Sequence, residues 1–92
     1  MNKRDLVQEF FTRTGVPSEA AAERAVQAFI DIIVSSVATG EEVRIGGLGV
    51  FDRVYRKARV AQDPNTGEAV DVPGKWVMRF RPGKRAKDAV NK

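Results

Sequence analysis

Residues 50–82, VFDRVYRKARVAQDPNTGEAVDVPGKWVMRFRP, decide the fold. Val50 to about Val60 and Lys75 to Arg81 are strand-like runs, and between them stands Asp63-Pro64-Asn65-Thr66-Gly67. Proline at a favoured turn position, with Asn and Gly able to take positive φ, predicts a chain reversal there. Val70-Asp71-Val72 returns, and Pro73-Gly74 bends the chain before the last strand. From about Arg53 to Lys75 the two limbs set Arg56, Lys57, Ala58, Arg59, Ala61 and Gln62 against Glu68, Ala69 and Asp71. Few large apolar side chains are available to pack this ribbon on a body, and a lone two-stranded ribbon is marginal in water. The pattern therefore predicts a projecting, mobile β-ribbon arm at about 53–75, its edges blunted by charge and proline and ordered on binding.

Working outward, Val43-Arg44-Ile45 is a short strand and Gly46-Gly47-Leu48-Gly49 a tight turn. Downstream, Pro82-Gly83 breaks the last strand and Lys84 to Val90 forms a short helix. Upstream, Asn2 caps a first helix, with Asp5 completing a capping box and Leu6, Val7, Phe10 and Phe11 making its apolar stripe. Gly15 ends it. Ser18 caps a second helix that runs to about Ala38, with Glu19 favourable in its first turn. Ala25, Val26, Ala28, Phe29, Ile30, Ile32, Ile33, Val34 and Val37 point nearly all round that helix, so it is buried on more than one side. A central place in a monomer would satisfy this pattern. The short chain favours a second copy, with Phe29, Ile30, Ile33 and Val37 near the seam. The fold class is α+β: an N-terminal helical hairpin, a three-stranded antiparallel sheet with a long protruding ribbon, and a short C-terminal helix. It is read as one domain over 1–92, with 1–40 the helical dimerisation part and 41–92 the sheet, arm and last helix.

Composition limits the chemistry. Ninety-two residues, 42% hydrophobic and 30% charged, suit one globular domain with a small core. Cysteine and histidine are both absent, which excludes disulfide staples, zinc constellations and thiol or imidazole catalysis. Asp63, Glu68 and Asp71 are too exposed on the arm to serve as general acids or bases, so no enzyme and no cofactor is expected. No apolar run approaches a membrane span, and the N-terminal residues lack a signal-peptide core, so a cytoplasmic protein is expected. Residues 1–42 carry a net charge of −3 and residues 43–92 a net of +7. This division suggests a scaffold bearing a polyanion-binding surface, although a solvated basic face would look similar.

The glycine turn lacks the spacing and the Gly-Lys-Ser/Thr ending of a nucleotide loop. Arg53, Arg56, Lys57 and Arg59 cluster on the outgoing limb, with Arg53, Lys57 and Arg59 on one strand face beside Tyr55. Long cations on a thin ribbon suit a groove between phosphates, or plain solubility of an exposed edge. Pro64 is a rigid apolar wedge at the tip, or ordinary turn chemistry. Arg81-Pro82-Gly83-Lys84, then Arg85 and Lys87, sets cations and free backbone N–H groups at a helix start, a geometry that binds phosphate. Trp76, Met78 and Phe80 alternate on one strand face and are expected to pack.

Gly46, Gly49 and Phe51, then Asp63-Pro64-Asn65-Thr66-Gly67-Glu68, then Phe80-Arg81-Pro82-Gly83-Lys84 and Lys87-Asp88-Ala89-Val90 resemble the bacterial HU/IHF histone-like proteins. The resemblance covers essentially the whole chain. It implies an intertwined dimer, as a homodimer or with a related chain, whose two arms reach round double-stranded DNA in the nucleoid. By position Pro64 would be the inserting wedge, flanked by Gln62 and Asn65. Arg53, Arg56, Lys57 and Arg59 would line the minor groove. Lys3, Lys75, Arg81, Lys84 and Lys87 would meet flanking phosphates. The chain departs from the family at Gln62-Asp63, where an Arg-Asn pair is usual, at Val60, where a basic residue is common, and at Leu48, often a phenylalanine. The first two changes remove positive charge near the tip and place a carboxylate toward phosphate or base edges. Weaker tip engagement is expected, and a drift toward RNA or protein partners stays open.

Overall fold

The backbone at Asn2 and Asp5 closes the capping box that the sequence predicts. The Asn2 side chain accepts the Asp5 N–H at 3.0 Å, and the Asp5 carboxylate accepts the Asn2 N–H at 3.1 Å. Helix α1 (Lys3–Thr14) starts there and stops where the Gly15 N–H donates to the Phe11 carbonyl. Ser18 Oγ accepts the Ala21 N–H at 3.1 Å and opens helix α2 (Glu19–Ala38). These elements belong to a computed structural model that describes all of residues 1–92, in which the chain divides into two units, Met1–Ser35 and Ser36–Lys92. The first unit packs Val7, Ala22 and Val26 as its core, with Phe10, Phe11, Val16 and Ile30 against them.

The seam expected on α2 needs correction. Ile33 and Val37 are buried within the chain, and Ile30 packs on the core of the first unit. The uncovered apolar residues are Phe29, Ile32 and Val34, each exposed by half or more. Apolar residues all round a helix do not reveal which side its own chain covers.

In the second unit, strands β1 (Val43–Ile45), β2 (Gly49–Arg56) and β5 (Lys75–Pro82) form an antiparallel sheet in the order β1-β2-β5. Strands β3 (Arg59–Gln62) and β4 (Ala69–Val72) form a separate two-stranded ribbon, and helix α3 (Lys84–Val90) follows β5. The strand predicted from Val50 to Val60 is therefore two strands. The ladder stops at Arg56↔Lys75 and resumes in the same register at Arg59↔Val72. Pro73 occupies the register position opposite Ala58 and brings no N–H to bridge the gap.

Two glycines permit close approach. A Cβ on Gly49 would run into the Arg81 carbonyl and the Phe80 ring, at a φ of 155°. One on Gly74 would overlap the Tyr55 hydroxyl, which lies across the break in the ladder.

Candidate nucleic-acid interface

Directly opposed residues of an antiparallel pair share a face, and that parity assigns the side chains of β2 and β5. Phe51 faces Phe80, Arg53 faces Met78 and Tyr55 faces Trp76. The Phe51 and Phe80 rings lie 4.7 Å apart and the Tyr55 and Trp76 rings 5.3 Å, edge to face. The expected packing of Trp76, Met78 and Phe80 is thus only partial within one chain, since all three stay substantially exposed.

Arg53 belongs to this face and to the body sheet. Its guanidinium sits 4.1 Å from the centre of the Trp76 ring, and its Nη1 donates to the Ala38 carbonyl at the end of α2, 3.2 Å away. A cation suits both partners: the ring offers its negative face, and the helix its negative end. Arg53 is half-buried and held at the base of the ribbon.

The opposite face carries Asp52, with Arg79 and Arg81 across from and beside it. Arg79 grips the Asp52 carboxylate through Nε at 2.9 Å and Nη2 at 2.7 Å, and Arg81 Nη2 reaches it at 2.9 Å. The Arg79 hydrogen bonds hold the Asp52 carboxyl below the usual carboxylate range against the opposing effect of burial, with the charges of Arg79 and Arg81 adding to the depression. The same bonds raise the pKa of Arg79. Arg81 also lies 3.4 Å from Glu42. Arg79 and Asp52 are absent from the residues that sequence reasoning selected. The signal that could have found them is the matched register of Asp52 with Arg79 on paired strands.

At the foot of the ribbon and along its start the cations are free of internal ion pairs. Arg56 and Lys75 end the body ladder, Lys57 lies in the break and Arg59 opens β3, all four exposed. They line one surface groove with Ala58, Val72, Pro73 and Val77. Beyond them the tip is closed by its own hydrogen bonds. The Asp63 N–H donates to the Glu68 carbonyl at 2.8 Å, and the Asp63 carbonyl accepts the Gly67 N–H at 2.7 Å. Asp63 Oδ1 accepts the Asn65 N–H at 2.8 Å, so this carboxylate turns partly inward instead of facing outward whole. Pro64 and Asn65 are exposed at the apex, and Gln62 Nε2 reaches the Gly67 carbonyl at 3.4 Å.

The remaining predicted residues are dispersed. Lys3 lies in the first unit and donates to the Gln27 side chain. Lys84 pairs with Asp88 at 2.7 Å, and Lys87 is exposed on α3. Of the free backbone N–H groups expected at this helix start, that of Gly83 is taken, donating to the Leu48 carbonyl at 2.9 Å. That bond seats the start of α3 on the glycine turn, where Arg85 lies against Gly47.

A family model described as bacterial DNA-binding protein matches residues 1–91. Integration host factor subunit beta of Stutzerimonas stutzeri (strain A1501) is 37% identical over 91 residues, spanning 99% of this chain and 98% of that protein. The same subunit of Pseudomonas putida (strain W619) is 36% identical, spanning 99% and 93%. Among solved structures, the Anabaena HU–DNA cocrystal superimposes with a TM-score of 0.87 at 30% identity, covering 98% of this chain and 97% of that one.

Proposed function

The chain belongs to the bacterial DNA-binding protein family, that of the HU and integration host factor relatives, and on this footing we propose that two copies clasp and bend duplex DNA between their ribbons. It is an architectural protein of the nucleoid, without enzymatic activity. The single observation that supports the grip most directly is the set Arg56, Lys57, Arg59 and Lys75, exposed and unpaired along a thin ribbon that ends in Pro64. Such a ribbon enters a minor groove, where phosphate potential attracts the cations and a rigid apolar tip can wedge between adjacent base pairs.

Arg53 acts here as the post on which the ribbon stands, tying its base to Trp76 and Ala38. Lys3 and Lys87 remain candidates for flanking phosphates, and Lys84 for one it reaches by leaving Asp88. Arg81 contributes to the extent that phosphate displaces Asp52. Contacts of this kind position the protein and carry little sequence information.

In the first unit the second copy covers Phe29, Ile32 and Val34 on α2, and in the second unit it covers the half-exposed aromatic face of the sheet. Residues 1–92 act as one DNA-binding domain in this assembly.

The test is a salt titration of duplex binding combined with a bend measured by energy transfer. Four free ribbon cations in each of two chains predict a slope of log K against log salt near roughly −7, and a sharply bent duplex. A flat slope, or an unbent duplex in the bound complex, would refute the proposal. Duplex RNA in competition should bind less well, because its shallow minor groove gives the ribbon less purchase.

A further inference from the structure

Asp63 is the residue next to the candidate wedge, and its two carboxylate oxygens have different fates. Oδ1 accepts the Asn65 N–H at 2.8 Å, while Oδ2 has no partner within the chain. The residue is further held by its N–H to Glu68 and its carbonyl to Gly67. The side chain therefore cannot swing clear of the apex without giving up its bond to Asn65. When Pro64 enters a groove, an anionic oxygen goes with it.

A carboxylate oxygen only accepts hydrogen bonds. In the minor groove A·T and T·A pairs present acceptors alone, whereas G·C pairs add the guanine N2 amino donor. Oδ2 meets repelling lone pairs at the first and a matching donor at the second. We propose that Asp63 is a specificity-determining residue of the arm tip, directing Pro64 toward base steps that display a guanine amino group and away from A·T steps. The inference rests on the duplex-bending function proposed above and adds a substrate preference to it. The cations of the ribbon respond to groove width and potential, which also vary with sequence, but that response is common to any two proteins that differ only at Asp63.

Inosine removes the N2 amino group and leaves the rest of the groove edge unchanged. Affinity and bend are measured for alternating d(G-C), d(I-C) and d(A-T) duplexes of one length, so that the site of insertion need not be known. Each is compared between the wild type and Asp63→Asn, whose amide keeps an oxygen for Asn65 and offers a donor in place of Oδ2. Inosine also softens the duplex, but that change acts on both proteins and cancels in the ratio of ratios. The wild type should favour d(G-C) over d(I-C), relative to Asp63→Asn, by roughly ten- to a hundredfold, the scale of one charge-assisted hydrogen bond gained or lost. The variant should also gain on d(A-T). Equal ratios for the two proteins, with both duplexes bound and bent, would overturn this inference and leave the bending function standing. Failure of the wild type to bend any of the three would overturn the function itself.

Discussion

Phe29→Ala should dissolve the dimer, and the size of the effect can be worked from exposed surface. The single chain exposes 7419 Å², whereas a folded monomer of 10.1 kDa typically exposes roughly 5,300 Å². The excess is about 2,100 Å² per chain. Even if half of that belongs to the ribbon, two chains have roughly 2,000 Å² to bury together, the lower bound for an obligate interface. Phe29 is 50% exposed. For a side chain of roughly 200 Å² this leaves about 100 Å² to be covered, or about 2.5 kcal/mol at 25 cal/mol per Å². Both chains lose it, so dissociation becomes easier by about 5 kcal/mol, on the order of a thousandfold or more in Kd. Sedimentation equilibrium over a hundredfold concentration range reads this directly, and Tm should fall on dilution more steeply in the variant than in the wild type. A wild type that sediments as one chain, or a variant whose Kd moves less than tenfold, would refute the reasoning.

Two other perturbations test the second unit. Asp52 is held ionised by Arg79 and Arg81, so its contribution to stability is present at neutral pH. That contribution is lost as pH falls below about 4 through the depressed value; denaturant midpoints measured against pH should show an acid-side decline that Asp52→Asn flattens, and parallel curves would remove the ion cluster as its cause. Gly49→Ala drives a Cβ into the Arg81 carbonyl and should cost about 3 kcal/mol, visible as a lowered Tm in a thermal scan; a loss below about 0.5 kcal/mol would show that β5 yields easily.

Much of the architecture was legible because local rules decided it. Asn2 with Asp5, and Ser18 before Ala21, are caps whose chemistry lies within one turn of chain, and the helices begin where those residues place them. Asp63-Pro64-Asn65-Thr66-Gly67 reverses the chain for the same reason. The interruption at Lys57-Ala58 was not legible. It depends on Pro73, fifteen residues beyond Ala58, arriving at the register position opposite it. The side of α2 left for a partner was hidden in the same way. Ile33 and Val37 are as apolar as Phe29 and Ile32, and only packing shows which pair the chain covers itself.

The cations show most clearly where counting charges stops being informative. Arg56, Lys75, Arg79 and Arg81 share one face of the body sheet by register parity, and composition treats them alike. One carboxylate separates them. Asp52 lies beside Arg79 and Arg81 and engages both, whereas Val54 and Val77 occupy the next same-face positions and leave Arg56 and Lys75 free. Along that face the positive charge available to a polyanion therefore rises from the Asp52 end toward the ribbon. Phosphates approaching the body meet arginines already committed to a carboxylate, and those approaching the ribbon base meet open ones. The basic half of the chain accordingly concentrates its unpaired charge at the foot of the arm, which is where the proposed grip on a groove requires it.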